Sequence, residues 1–130
     1  HEQVGNEYQN ISLRFRHFFA RKVAFAKYAS AFVAMPGGFG TLDELCEVLT
    51  LVQTRVGRHI PIVLVDTAFW QGMLDWMRGS LLANGMISAE DLDLITVVDD
   101  PAQVVETIFN FYQARGFSPT PSERELLLSL

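Results

Sequence analysis

Apolar positions along this chain fall into two kinds of run, continuous and spaced, and the two kinds alternate. Ala31, Phe32, Val33, Ala34 and Met35 form a short continuous run; residues 60–65 and 94–98 form two more. Runs of this length without polar alternation predict strands buried on both faces of a sheet. Between them the spacing changes to three and four. Leu42, Leu45, Leu49 and Val52 predict a helix from Thr41 to about Val56. Trp70, Met73, Leu74, Met77 and Leu81 predict a second, ended by Asn84-Gly85. Val104, Val105, Ile108, Phe109 and Tyr112 predict the inward face of a third, opened by Pro101. Residues 21–29 read as a short helix, and Ser88-Ala89-Glu90-Asp91 as the capped start of another. Ile11, Leu13 and Phe15 alternate with Ser12, Arg14 and Arg16, which predicts a half-exposed strand.

Apolar strands alternating with amphipathic helices define an α/β fold, a Rossmann-like parallel sheet with helices on both faces. Such a sheet has more strands than this pattern supplies, and the chain opens on His1-Glu2-Gln3. The expectation is therefore that N-terminal βα units are absent from this chain. Residues 1–116 are then the C-terminal portion of one domain. Residues 117–130, with Pro119 and Pro121, read as a tail that packs on a partner or stays mobile.

Composition narrows the setting. An apolar share of 49% and a charged share of 19% suit a folded globular domain. No apolar run reaches membrane-spanning length and no signal peptide is visible. The single cysteine, Cys46, has no internal disulfide partner and falls in a helical pattern, which predicts a small core residue and a reducing, cytoplasmic setting. A net charge of −5 argues against broad nucleic-acid binding. Its distribution is uneven: Arg14, Arg16, Arg21, Lys22 and Lys27 fall between Glu7 and Asp43 with no acid among them. A local basic patch on an acidic protein suits a small anionic ligand better than a polyanion.

The candidate chemistry sits where the first buried run meets the first long helix, at Pro36-Gly37-Gly38-Phe39-Gly40-Thr41-Leu42-Asp43-Glu44. Backbone N–H groups at a helix start are unpaired and partly positive, and glycine lets an anion approach them. Gly37, Gly38, Gly40 and the Thr41 hydroxyl are the candidate phosphate ligands. The loop has no P-loop lysine and does not fit the dinucleotide fingerprint, so on spacing alone a plain tight turn stays open. Thr41 and Glu44 have capping-box spacing, which gives Glu44 a structural role. As a carboxylate in the first turn it would equally be kept ionised by the macrodipole, fit to act as a base or to stabilise a cation. Upstream, Arg21 has the fork to hold a phosphate or sugar oxygen, while Lys22 also suits an ordinary solvated helix start. His17 beside Phe18-Phe19 reads as a packed ring or pocket wall, without a second ligand at metal spacing. Asp66 reads as a loop cap or a ligand contact, and Asp99-Asp100 as a helix cap.

Arg21-Lys22 followed by Pro36-Gly37-Gly38-Phe39-Gly40-Thr41-Leu42-Asp43-Glu44 resembles the signature of the LOG ("Lonely Guy") family. These are cytokinin riboside 5′-monophosphate phosphoribohydrolases, long labelled lysine decarboxylases. The pattern P-G-G-x-G-T-x-x-E is met at every specified position. Gln53-Thr54, the strand over residues 61–66 and Gly85-Met86-Ile87-Ser88 also fit, so the resemblance covers residues 11–112. Residues 15–22 and 97–101 are most similar to the bacterial branch. The resemblance implies hydrolysis of the N-glycosidic bond of a nucleoside 5′-monophosphate, AMP or an N6-modified AMP, to free base and ribose 5-phosphate. It implies catalytic roles for Arg21 and Glu44, and substrate or phosphate binding by Lys22, Gly37, Gly38, Gly40 and Thr41. No metal or organic cofactor is implied, and the implied assembly is a homo-oligomer, a dimer or larger, with sites at the subunit interface. Family members carry a further glycine-rich βα region before this motif, which this chain lacks. A non-catalytic nucleotide-binding or carrier protein of the same fold is the alternative. A pyridoxal-phosphate decarboxylase would need a Schiff-base lysine, and Lys22 and Lys27 are the only lysines.

Overall fold

A computed structural model describes residues 7–12 and 15–129. Helix α1 (Phe18–Tyr28) leads into strand β1 (Phe32–Ala34), and helix α2 (Phe39–Gln53) leads into strand β2 (Ile62–Val65). Helix α3 (Thr67–Trp76) continues as a π-helical segment (Met77–Leu82), and the short α4 (Ala89–Leu92) precedes strand β3 (Ile95–Val98). Helices α5 (Pro101–Arg115) and α6 (Pro121–Ser129) follow. The half-exposed strand expected over residues 11–16 falls partly on Leu13 and Arg14, outside the described residues. Ile11, Ser12 and Phe15 lie outside any strand and are exposed.

The strands pair in parallel in the order β1-β2-β3, with Phe32 opposite Ile62 and Ile62 opposite Ile95. Side chains alternate between the faces, which explains why the strands are apolar at every position but the exposed Thr96. On one face Ala34, Ile62 and Leu64 pack with Leu45, Val48 and Val52 of α2 and with Trp70 and Leu74 of α3. On the other, Val63, Val65 and Val98 lie under Val104 and Ile108 of α5. Helices on both faces of a parallel sheet make this a Rossmann-like α/β fold. Trp70 is 1% exposed, and its indole N–H donates to the Val65 carbonyl at 2.9 Å, so the largest core side chain also has its polar atom paired. Among the described residues no helix is long and apolar enough to cross a membrane.

Two expectations are corrected, and a third segment gains structure. Val105 and Phe109 were expected inward but are 69% and 53% exposed. The surface under α5 consists of Val63, Val65 and Val98, enough for the Val104–Ile108 stripe alone. Cys46 is exposed, because Leu45 and Val48 on either side of it take the inward face of α2. Within the C-terminal tail read over residues 117–130, residues 121–129 form α6: Thr120 Oγ1 accepts from the Glu123 N–H at 3.3 Å and Glu123 Oε2 accepts from the Thr120 N–H at 2.8 Å. That is a capping box, with Pro121 at the first helical position. Glu123 Oε2 also takes Arg115 Nη2 at 2.6 Å, which ties α6 to α5.

Candidate active site at the carboxyl end of β1

Ligands of open parallel sheets sit beyond the carboxyl ends of the strands, and β1 ends at Ala34 just before the glycine loop. The loop carries the chain directly into α2, whose N-cap is Gly38 and which receives no side-chain cap. The first intrahelical bond is Leu42 N–H to Gly38 C=O at 3.1 Å, which leaves the N–H groups of Phe39, Gly40 and Thr41 without helical acceptors. A Cβ placed on Gly37 would meet Thr41 Oγ1 at 2.1 Å and Thr41 Cβ at 2.9 Å, so the Thr41 side chain folds back over the Gly37 α-carbon. Gly38 and Gly40 differ: a Cβ there meets nothing within 4 Å. Only Gly37 is demanded by the protein's own packing. Gly38 and Gly40 leave the outer side of the loop bare, where an anion can reach the N–H groups.

The start of α2 at Phe39 changes the reading of Glu44. The capping box expected between Thr41 and Glu44 does not form, because the glycines let the helix begin before Thr41. Glu44 therefore lies in the second turn, where the helix dipole has largely faded. A positive charge faces it from α1: Arg21 Nη2 is 3.5 Å from Glu44 Oε1. The Glu44 side chain is 18% exposed, and Oε1 is buried without a hydrogen bond. Arg21 also lies over the Phe25 ring at 5.8 Å. Between α1, β1 and the loop lies an open cleft of about 530 Å³, with Phe25, Val33, Met35, Thr41 and Glu44 in its walls. A carboxylate, the glycine loop and an apolar wall thus face one space.

Lys22 is placed elsewhere. Its ammonium lies 2.6 Å from Asp43 and 2.8 Å from Glu47, one turn apart on α2. These two carboxylates, Asp43 first, hold it protonated well above the ordinary lysine range. Asp43 and Glu47 were not singled out in the sequence, although acids four apart on a helix facing an Arg-Lys pair are a legible sign of such a clamp. His17 is exposed and stacks on Phe19 at 5.8 Å. Among the described residues no three His, Cys, Asp or Glu side chains are grouped to hold a metal. Asp66 caps α3, accepting from Phe69 N–H at 3.1 Å from a left-handed backbone (φ 82°). Asp100 caps α5 through Ala102 N–H, and Asp99 holds Thr67 at 2.7 and 2.9 Å.

Fold and loop together define a Rossmann-like α/β protein with a bare helix N-terminus and a carboxylate at one strand end. The family model described as "Possible lysine decarboxylase" matches residues 1–108. Over 91 residues the chain is 32% identical to a cytokinin riboside 5′-monophosphate phosphoribohydrolase of Arabidopsis thaliana, covering 70% of this chain and 42% of that protein. It is 38% identical over 82 residues to the protein of that name from Mycobacterium tuberculosis, covering 62% and 42%. It is 27% identical over 104 residues to a probable enzyme of that name from Oryza sativa subsp. japonica, covering 80% and 45%. The chain belongs to this family, the LOG family whose signature its glycine loop carries. It spans less than half the length of these curated relatives.

Proposed function

We propose that the protein containing this chain hydrolyses the N-glycosidic bond of a nucleoside 5′-monophosphate, releasing free base and ribose 5-phosphate. The observation that carries the reading is Glu44 Oε1, buried without a hydrogen bond, at the cleft and 3.5 Å from Arg21. A buried carboxylate oxygen held only by a distant ion pair, with no hydrogen bond, is costly to keep, and a reacting sugar supplies the closer contact. As the base departs, C1′ becomes cationic, and Glu44 stabilises that charge or orients and deprotonates the attacking water. Arg21 anchors the substrate. The N–H groups of Phe39, Gly40 and Thr41 and the Thr41 hydroxyl take the phosphate, so remote binding energy holds the reacting bond in place. Phe25, Val33 and Met35 give the base or sugar an apolar wall.

Names of the relatives support a cytokinin riboside 5′-monophosphate, an N6-modified AMP, as substrate, with plain AMP the simpler member of the class. Exposed apolar side chains in the cleft wall, Met35 at 58% and Phe25 at 52%, support a homo-oligomer that covers this surface. One free cysteine in the chain suits a reducing, cytoplasmic setting. Decarboxylation of lysine fits the site less well: Lys22 is locked as an ammonium between two carboxylates, and neither it nor Lys27 lines the cleft. Chromatography of the products formed by the intact protein from AMP and from isopentenyl-AMP tests the proposal. Free adenine or isopentenyladenine with ribose 5-phosphate is expected; nucleotide binding without base release would make the protein a carrier.

A further inference from the structure

None of the described side chains of α1 is fully buried, and none belongs to either apolar cluster of the core. Its contacts with α2 include ion pairs from both Arg21 and Lys22. The strongest geometry among them is Lys22, bridging Asp43 at 2.6 Å and Glu47 at 2.8 Å. Arg21, its neighbour in sequence, reaches Glu44, which lies between those two acids on α2. A helix with side chains is about 10–12 Å across, so a roll of α1 by about 10° moves a side-chain tip by about 1 Å. A displacement of about 1 Å at a reacting geometry can cost about a hundredfold in rate.

We propose that Lys22 is a positioning residue: clamped between Asp43 and Glu47, it fixes the roll of α1 and thereby holds Arg21 against Glu44. The kinetic part of this inference rests on the hydrolase reading above. It differs from a direct role of Lys22 on the substrate phosphate, because the ammonium faces the Asp43 and Glu47 carboxylates of α2.

Three variants of the intact protein test it: Lys22→Gln, Lys22→Arg and the double variant Asp43→Asn/Glu47→Gln. Thermal unfolding first verifies that each is folded. The clamp predicts that Lys22→Gln and the double variant lower kcat by a similar factor, about tenfold to a hundredfold. KM stays within about twofold, and Lys22→Arg recovers most of the loss. Amide hydrogen exchange across residues 18–28 accelerates in both neutral variants. A raised KM in Lys22→Gln with an unaltered double variant would show instead that Lys22 contacts the substrate. Wild-type kcat and exchange in both neutral variants would also overturn the clamp. Should the wild-type protein release no base, the hydrolase reading fails by itself. Exchange in α1 then decides alone: faster exchange in both neutral variants supports the clamp, and unchanged exchange refutes it.

Discussion

Replacing Gly37 with alanine forces the glycine loop and the start of α2 apart. The added Cβ would sit 2.1 Å from Thr41 Oγ1, about 0.9 Å inside the 3.0 Å that real Cβ contacts respect. Rotating the Thr41 side chain does not relieve this, because Thr41 Cβ itself is only 2.9 Å away and does not move with that rotation. Backbone must shift, at the overpacking cost of about 1–3 kcal/mol. For a domain of this size that lowers Tm by several degrees. The same shift misplaces the N–H groups and the Thr41 hydroxyl proposed to take the phosphate, so AMP affinity should fall about tenfold or more. Gly40→Ala is the control. It meets nothing within 4 Å and replaces a helical glycine, so stability holds or rises by up to about 1 kcal/mol. Its methyl still stands on the bare side of the loop, so nucleotide affinity falls without a loss of stability. Thermal unfolding and calorimetric titration with AMP separate the two effects. A Gly37→Ala protein that melts and binds like the wild type would refute the packing argument.

Two further outcomes follow from the same geometry. Trp70→Phe removes an indole from a site 1% exposed and leaves the Val65 carbonyl without its donor, so chemical denaturation should show a loss of about 2–4 kcal/mol. Burial pushes the Glu123 carboxyl up, but Arg115 and the Thr120 N–H outweigh it, and its pKa lies below the ordinary 4.5. A depressed carboxylate stabilises the fold above its unfolded pKa and loses that contribution as pH falls through the folded value. Protease cleavage within α6 should therefore increase as pH falls below about 4.5, and Glu123→Gln should be sensitive already at neutral pH with little further pH dependence.

The strands were legible because a sheet covered on both faces leaves few polar positions: residues 62–65 are buried throughout, and Thr96 is the one polar residue in the three strands. The inward faces of α2 and α3 were legible for the complementary reason, a three-and-four spacing against one surface. Where reading failed, tertiary context decided. Thr-x-x-Glu occurs at Thr41–Glu44 and at Thr120–Glu123 with the same spacing, yet only the second is a capping box. Pro121 begins a helix there, whereas Gly37-Gly38 allow α2 to start early and release Glu44 from the cap. The partners of Lys22 were not read because the pairing crosses from α1 to α2, over a separation of 25 residues to Glu47. Composition at either end does not show which side chains will meet across such a gap.

The role proposed for Glu44 is to act on the reacting sugar and the attacking water rather than to hold the helix, and Glu44→Gln in the intact protein tests it most directly. Replacing the carboxylate by an isosteric amide keeps the shape and removes the charge. Steady-state release of free base from AMP should fall by about a hundredfold or more, while AMP binding by calorimetry stays within a few-fold. Base release at the wild-type rate would contradict the account.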